Sequence, residues 1–244
     1  MKPVRAVLHA HSVWSYDGHW RLKDIARLYG AWGVNAVMMS EHDTGFEPAR
    51  FAEYRAECAA ASTRSCQLIP GIEYSSPDND IHILTWGLDR FLAEHRPISE
   101  TLEAVKWHGG VSVFAHPIRR DAWQKFDPAW TEYLSAIELW NRKSDGITWG
   151  QEAWDIVRST GLPATIGQDF HSLRQLYPLT NKFHLAPGVD LEIGLVDALA
   201  SGNCIPQVFR QRLLNKAGTP IKFPHNMLER ARRGMLPYLK RRKT

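Results

Sequence analysis

Cysteine is scarce. The 244 residues hold three, Cys58, Cys66 and Cys204. An odd count without framework spacing excludes a disulfide-stapled secreted scaffold and fits a reduced, cytoplasmic compartment. No apolar run approaches the roughly 18 residues that a membrane-spanning helix needs. The N-terminal MKPVRAVLHAHS has too short an apolar stretch for a signal peptide. Solenoid-type repeats and low-complexity tracts are missing too. Acidic residues are nearly missing from the end of the chain. Residues 205–244 carry eleven Lys/Arg and one acid, Glu229, a net of +10, whereas residues 1–204 carry 19 Lys/Arg and 25 Asp/Glu, a net of −6. The chain therefore reads as an acidic body, 1–204, with a basic extension, 205–244.

What is present is globular in character. Hydrophobic residues make up 44% and charged residues 23%, enough for a core that needs no staples. Short Val/Ile-rich runs predict strands over Val4–His11, Ala36–His42, Gln67–Tyr74, Ile81–Leu88, Val111–His116, Ala136–Trp140, Ala164–Phe170 and Lys182–Leu185. Helical patterns lie between many of them, some ending at a glycine such as Gly161 or Gly202. Strand–helix alternation implies a parallel sheet, and this number of units suggests a closed barrel in a single domain.

Histidine is plentiful, and its placement carries the chemistry. Strand segments end or begin with His9 and His11, His42, Glu73, His82, His116, and Asp169 and His171, and Asp17 follows the first. Residues two apart on a strand share a face, and the C-terminal ends of parallel strands form the functional rim of α/β folds. A lone histidine at a strand end is usually a satisfied core residue; a rim full of imidazoles and carboxylates is not. Nitrogen and oxygen donors without thiolate suit Mn, Zn or Fe. Nine candidate ligands are too many for one ion, so two or three divalent ions are expected, with Glu73 as a bridge. His19, His95, His108, His184 and His225 lack such company.

The motifs HAHSVWSYDG, SEHD, FAHP and GQDFH, with GIE and the His of DIHIL, occur in an order that resembles the PHP (polymerase and histidinol phosphatase) family over roughly residues 4–204. The resemblance implies a distorted TIM-like (β/α)7 barrel and a metal-dependent phosphoesterase that hydrolyses a phosphate ester by attack of metal-bound hydroxide. It implies one ion held by His9, His11, Glu73 and Asp169, a second by Glu73, His82 and His116, and a third by Asp17, His42 and His171. Two positions depart from the family pattern: Glu41 stands for an Asp, and Gln168 for a Ser.

Other residues are read for support. Arg119 is a candidate for gripping substrate phosphate, with Arg120 beside it. Asp169 and His171 are candidate catalytic residues as well as ligands. Asp43, Glu138 and Asn141 are candidates for hydrogen bonds to the ligands, and Glu138 and Asn141 also for substrate contact. Trp14, Trp20 and Trp123 suit base stacking or, more ordinarily, packing. A phosphorylated small molecule or an oligonucleotide is the expected substrate, with nucleic acid a candidate partner of the basic extension, itself helical or partly disordered. The alternatives are a metal-dependent amide or lactone hydrolase, and a nucleic-acid-binding accessory module with structural metals.

Overall fold

A computed structural model describes residues 2–215 and 218–221. In chain order the strands are β1 (Lys2–Ala10), β2 (Ala36–Met38), β3 (Glu41–His42), β4 (Gln67–Ile69), β5 (Gly71–Ser75), β6 (His82–Trp86), β7 (Val111–Phe114), β8 (Ala136–Asn141), β9 (Ala164–Phe170), β10 (Leu179–Leu185), β11 (Cys204–Val208) and β12 (Gln211–Arg212). The helices are α1 (Leu22–Ala31), α2 (Phe51–Ala61), α3 (Ile98–Trp107), α4 (Arg142–Asp145), α5 (Gln151–Thr160) and α6 (Leu191–Ala200).

The pairings run in a ring. β1 lies parallel to β2, β2 to β4 and β3 to β5. β5, β6 and β7 alternate antiparallel, and β7, β8 and β9 are parallel. β9 then returns to β1. β2–β3 and β4–β5 are successive halves of two of the expected strands. The second is interrupted at Pro70, which has no N–H to donate. This is the expected α/β barrel-like architecture, corrected in one respect: the sheet is mixed, not all parallel. Only residues 76–81 join β5 to β6, too few for a crossover, so a hairpin is forced. That hairpin matters for function. Because β6 runs against its neighbours, its first residue, His82, reaches the rim where the parallel strands end.

β10 turns back antiparallel along the first half of β1 and carries β11 and β12. The strand that begins at Cys204 thus runs across the expected boundary between body and extension. The most basic part of the extension, residues 222–244, lies outside the described residues, including the expected terminal helix.

The helix faces follow from apolar spacing. Leu22, Ile25, Ala26 and Tyr29 of α1 are buried, as are Phe51, Tyr54 and Cys58 of α2. Gly161 ends α5 in the left-handed conformation, its N–H donating to the Val157 carbonyl. Inside the ring, Leu8, Met38, Ile69, Leu84, Val113 and Ala136 form one buried cluster with Leu195, Val196 and Leu199 of α6. No helix among the described residues is long and apolar enough to cross a membrane.

Candidate metal centre

The rim is built on irregular backbone. Between β1 and β9 the register shifts: Leu8 pairs with Gly167 and Ala10 with Phe170, so His9 alone faces Gln168 and Asp169. This is a β-bulge, a device that re-aims side chains. His9, Asp169 and His116 have φ of +66°, +49° and +27°, a region that non-glycine residues rarely enter. Three candidate ligands thus share a conformation that only surrounding structure can hold, as is common at functional sites. Simple strand alternation, which predicts that His9 and His11 converge, gives the right outcome for an incomplete reason. β1 stops at Ala10, and the bulge sets the final direction.

Several imidazoles are locked by their outward nitrogens. His9 Nδ1 donates to Glu138 at 2.9 Å. Gly167 makes room for this pair, since a Cβ there would stand 1.8 Å from Glu138 Oε1 and 2.9 Å from His9 Cβ. His171 Nδ1 donates to the Asp169 carbonyl at 2.9 Å, and His11 Nδ1 lies 3.3 Å from Ser15 Oγ. Ser15 in turn donates to Glu41 at 2.5 Å, and Ser12 donates to Glu41 from both its hydroxyl and its N–H. Glu41, buried and holding these two serines, braces the loop that carries His11. Fixing Nδ1 in these rings leaves Nε2 with the lone pair that a metal needs.

The inward atoms converge on Glu73. Its carboxylate lies 2.7 Å from His82, 2.8 Å from His116, 3.0 Å from His42 and 3.4 Å from both His9 and His11. A second group gathers nearer solvent. Asp17 lies 3.0 Å from His171 and 3.3 Å from His42, while Asp169 lies 3.2 Å from His171 and 3.5 Å from His11. All nine expected ligands therefore meet at one place. Three sets offer donor atoms within 4.8 Å of one another: His9–His11–Asp169, His9–Glu73–His116 and His11–His42–His171. These sets differ from the expected groupings in three places: Glu73 is missing from the first, His9 stands for His82 in the second, and His11 stands for Asp17 in the third. The two ring nitrogens of His82 are engaged by Glu73 and, at 2.6 Å, by Asn79.

The chemistry of this cluster fits divalent ions. Buried Nε2 atoms of His9, His11 and His42, Nδ1 of His116, Oε2 of Glu73 and Oδ1 of Asp17 have no hydrogen-bond partner among the described residues. Buried polar atoms are normally paired, so a set of orphans aimed at one point calls for a ligand. Burial works against ionised carboxyls in Glu73 and Asp169, but the neighbouring imidazoles outweigh it and hold both well below the usual carboxylate range. Burial likewise opposes charge on His42, yet Asp17 and Glu73 raise it to about 10. His11, buried and beside His42, is lowered.

The supporting residues take distinct places. Glu138 accepts from His9, from the His116 N–H at 2.7 Å and from the Asn141 side chain at 3.0 Å. Asp43 accepts from the hydroxyl and N–H of Ser75 and from the His95 N–H, so it ties the loop around residue 95 to β5 instead of touching a ligand side chain. Arg119 donates to the Asn79 carbonyl at 3.0 Å, and its charge helps to lower His82, which burial lowers first. Gln168 points away from the centre, accepting from Tyr29 and donating to the Tyr177 and Leu179 carbonyls. Trp14 is occupied by Phe46, Tyr54 and Glu57, and Trp20 by Phe170.

Two residues at the site escaped sequence reasoning. Lys143, one residue into α4, brings its ammonium within 3.1 Å of His171 Nε2 and 3.4 Å of Asp169. Tyr16, 73% exposed, stacks on His42 at 5.1 Å. The only signal for Lys143 was its place just after the end of β8, where Asn141 was already suspected.

No protein-family model matches the sequence, and a search of curated proteins finds no match. Solved structures do resemble the fold. PsfC from Pseudomonas syringae is 16% identical with a TM-score of 0.60, the match covering 85% of this chain and 92% of that one. A two-domain protein of Bacteroides vulgatus containing a predicted PHP-like metal-dependent phosphoesterase is 17% identical with a TM-score of 0.62, over 87% of this chain and 66% of that one. A lesion-specific endonuclease from Pyrococcus furiosus is 15% identical with a TM-score of 0.57, over 88% of this chain and 58% of that one. The described chain thus shares its fold with a protein containing a predicted PHP-like phosphoesterase, and it carries its histidine-rich cluster at the rim of that fold.

Proposed function

We propose that the chain is a metal-dependent phosphoesterase whose substrate is a phosphorylated small molecule or an oligonucleotide. The observation that carries this reading is Glu73, a buried carboxylate ringed by five imidazoles and flanked by Asp169 and Asp17, with unpartnered donor atoms facing inward. His9, His11, Asp17, His42, Glu73, His82, His116, Asp169 and His171 would hold two or three ions, Mn, Zn or Fe by donor type. When bound, such ions acidify water and neutralise charge building on a phosphoryl group. The protein's own groups do the rest. Glu138 keeps the proton of His9 on Nδ1, and the Asp169 carbonyl does the same for His171. Asp169 and His171 lie 3.2 Å apart, beside His11 and Asp17, and would act on substrate as ligands that hold an ion against it. Arg119, anchored on the Asn79 carbonyl beside His82, is placed to bind phosphate oxygens.

The fold likeness to a lesion-specific endonuclease and the basic stretch at residues 222–244 favour a nucleic-acid substrate within this class. Cys58, Cys66 and Cys204 are unpaired, which supports a reducing, cytoplasmic setting. The test is hydrolysis of mononucleotides, dinucleotides, short DNA and RNA, sugar phosphates and histidinol phosphate, with Mn²⁺ and Zn²⁺ compared. Turnover of at least one phosphate ester that chelator abolishes and metal restores is the expected result. Full ion loading without turnover of any of them would return the centre to a structural role.

A further inference from the structure

Lys143 stands where a cation is wanted. Its Nζ lies 3.1 Å from His171 Nε2, 3.4 Å from Asp169 Oδ1 and 3.9 Å from Asp17 Oδ2. His171 and Asp17 are two of the three residues expected to hold a third ion. The backbone that carries the ammonium is held in place. Asn141 Oδ1 accepts from the Lys143 N–H at 3.0 Å and the Ser144 N–H at 2.9 Å. The other end of the same amide donates to Glu138, the carboxylate that orients His9. Asp145 accepts from the Asn141 N–H and closes the turn. The backbone of Lys143 is thereby tied to the framework that positions the ligands, and its side chain, 39% exposed, reaches back over their solvent side.

We infer that the Lys143 ammonium takes the place of the third ion, so that the centre is dinuclear with a resident amino-acid cation. This rests on the metal-centre reading given above. The physical reason is exclusion. A divalent ion bound through His171 Nε2 and Asp17 would sit at close range to a fixed positive charge and compete with it for the same lone pairs. The set His9–Glu73–His116 shares no atom with the ammonium, and the set His9–His11–Asp169 shares only Asp169 Oδ1, which lies farther from Nζ than His171 Nε2 does and leaves two imidazoles to the ion. An ammonium also differs from an ion in what it offers substrate. It presents rotatable N–H donors to a phosphate oxygen and no open coordination position.

The test is ion content of the full-length chain, measured by elemental analysis after reconstitution with Mn²⁺ or Zn²⁺ and removal of free metal. Wild type is expected to hold two ions per chain. Lys143→Ala and Lys143→Gln, which remove the charge, should hold three, and Lys143→Arg, which keeps it, should hold two. Circular dichroism melts check folding, and the Gln variant keeps most of the side-chain length if Ala proves unstable. Three ions in wild type, or two in both neutral variants, would overturn the inference while leaving the metal-centre reading intact. One ion or fewer in wild type, not raised by added metal, would remove that reading and the inference with it.

Discussion

The two halves of the site differ in their exposure to water. The inner half, Glu73 with His9, His82 and His116, is sealed, its backbone strained at His9 and His116 and its rings held by Glu138, Asn79 and each other. In the outer half, the Asp17 side chain is 34% exposed and Lys143 is 39% exposed, and Tyr16 lies open above His42. Both halves use the same residue types. The inner half is preorganised to hold charge where water cannot screen it, and the outer half is arranged to exchange ligands with solvent. Ion retention should therefore depend on the inner residues and substrate handling on the outer ones.

The largest effect should come from Glu73→Gln. Five imidazoles lose their shared counter-charge at once. Ion content should fall below one per chain, and hydrolysis should drop by about a thousandfold or more, in the range seen when an essential catalytic group is removed. Breaking a buried ionic contact by removing one partner typically costs about 3–5 kcal/mol, so the metal-free variant should also unfold at lower denaturant. Elemental analysis and urea melts read both. Retention of two ions by Glu73→Gln would erase the distinction between the halves.

How much of this was legible beforehand follows from the kinds of signal involved. All the ligands but Asp17 were legible because each follows or opens an apolar run, as in VLHAH or TIGQDFH, and strand ends share a rim. The antiparallel β6 was written in the short link SPDND, but the regular alternation of strands and helices overrode it. The left-handed backbone of His9, His116 and Asp169 had no signal, since His and Asp do not mark such positions as glycine does. Lys143 left only its place after β8 as a signal, for the opposite reason. A lysine in a polar segment such as NRKSD is ordinarily solvated, and only the fold shows that its ammonium reaches His171 and Asp169.

Arg119→Ala should have the next effect. Its guanidinium donates to the Asn79 carbonyl and not to the buried carboxylate, so ion content should stay unchanged. A charge-assisted contact to phosphate is worth roughly 1.5–3 kcal/mol, or about 10- to 150-fold in kcat/KM, expressed mainly in KM. Loss of an ion in this variant would move Arg119 into the inner half.

A smaller effect, dependent on substrate length, is expected from ending the chain at Ile221. That cut removes eight Lys/Arg and one acid but keeps β11 and β12. Cleavage of a mononucleotide should be unchanged. KM for a short DNA or RNA should rise about tenfold at low salt and less at high salt, because the lost residues neutralise phosphates remote from the rim. Equal effects on both substrates would deny the segment a nucleic-acid role.

His42 joins the two halves and supplies the finest test. Its Nδ1 lies 3.0 Å from Glu73 inside, and its Nε2 3.3 Å from Asp17 outside. Burial opposes its charge, but the two carboxylates prevail and raise it from 6.5 to about 10. A group whose folded value is raised stabilises the protein fully below its unfolded value and loses that contribution as pH climbs through the folded one. Metal-free protein should therefore lose thermal stability between about pH 6.5 and 10, by several degrees at the roughly 2–4 °C per kcal/mol expected for a chain of this size. His42→Gln, which keeps hydrogen-bonding capacity but cannot titrate, should melt at a temperature that falls less over the same interval. Loaded protein should show little of the loss, because a ligated imidazole is already deprotonated. Parallel pH profiles for wild type and His42→Gln would mean that the charge on this ring does not couple the inner carboxylate to the outer one.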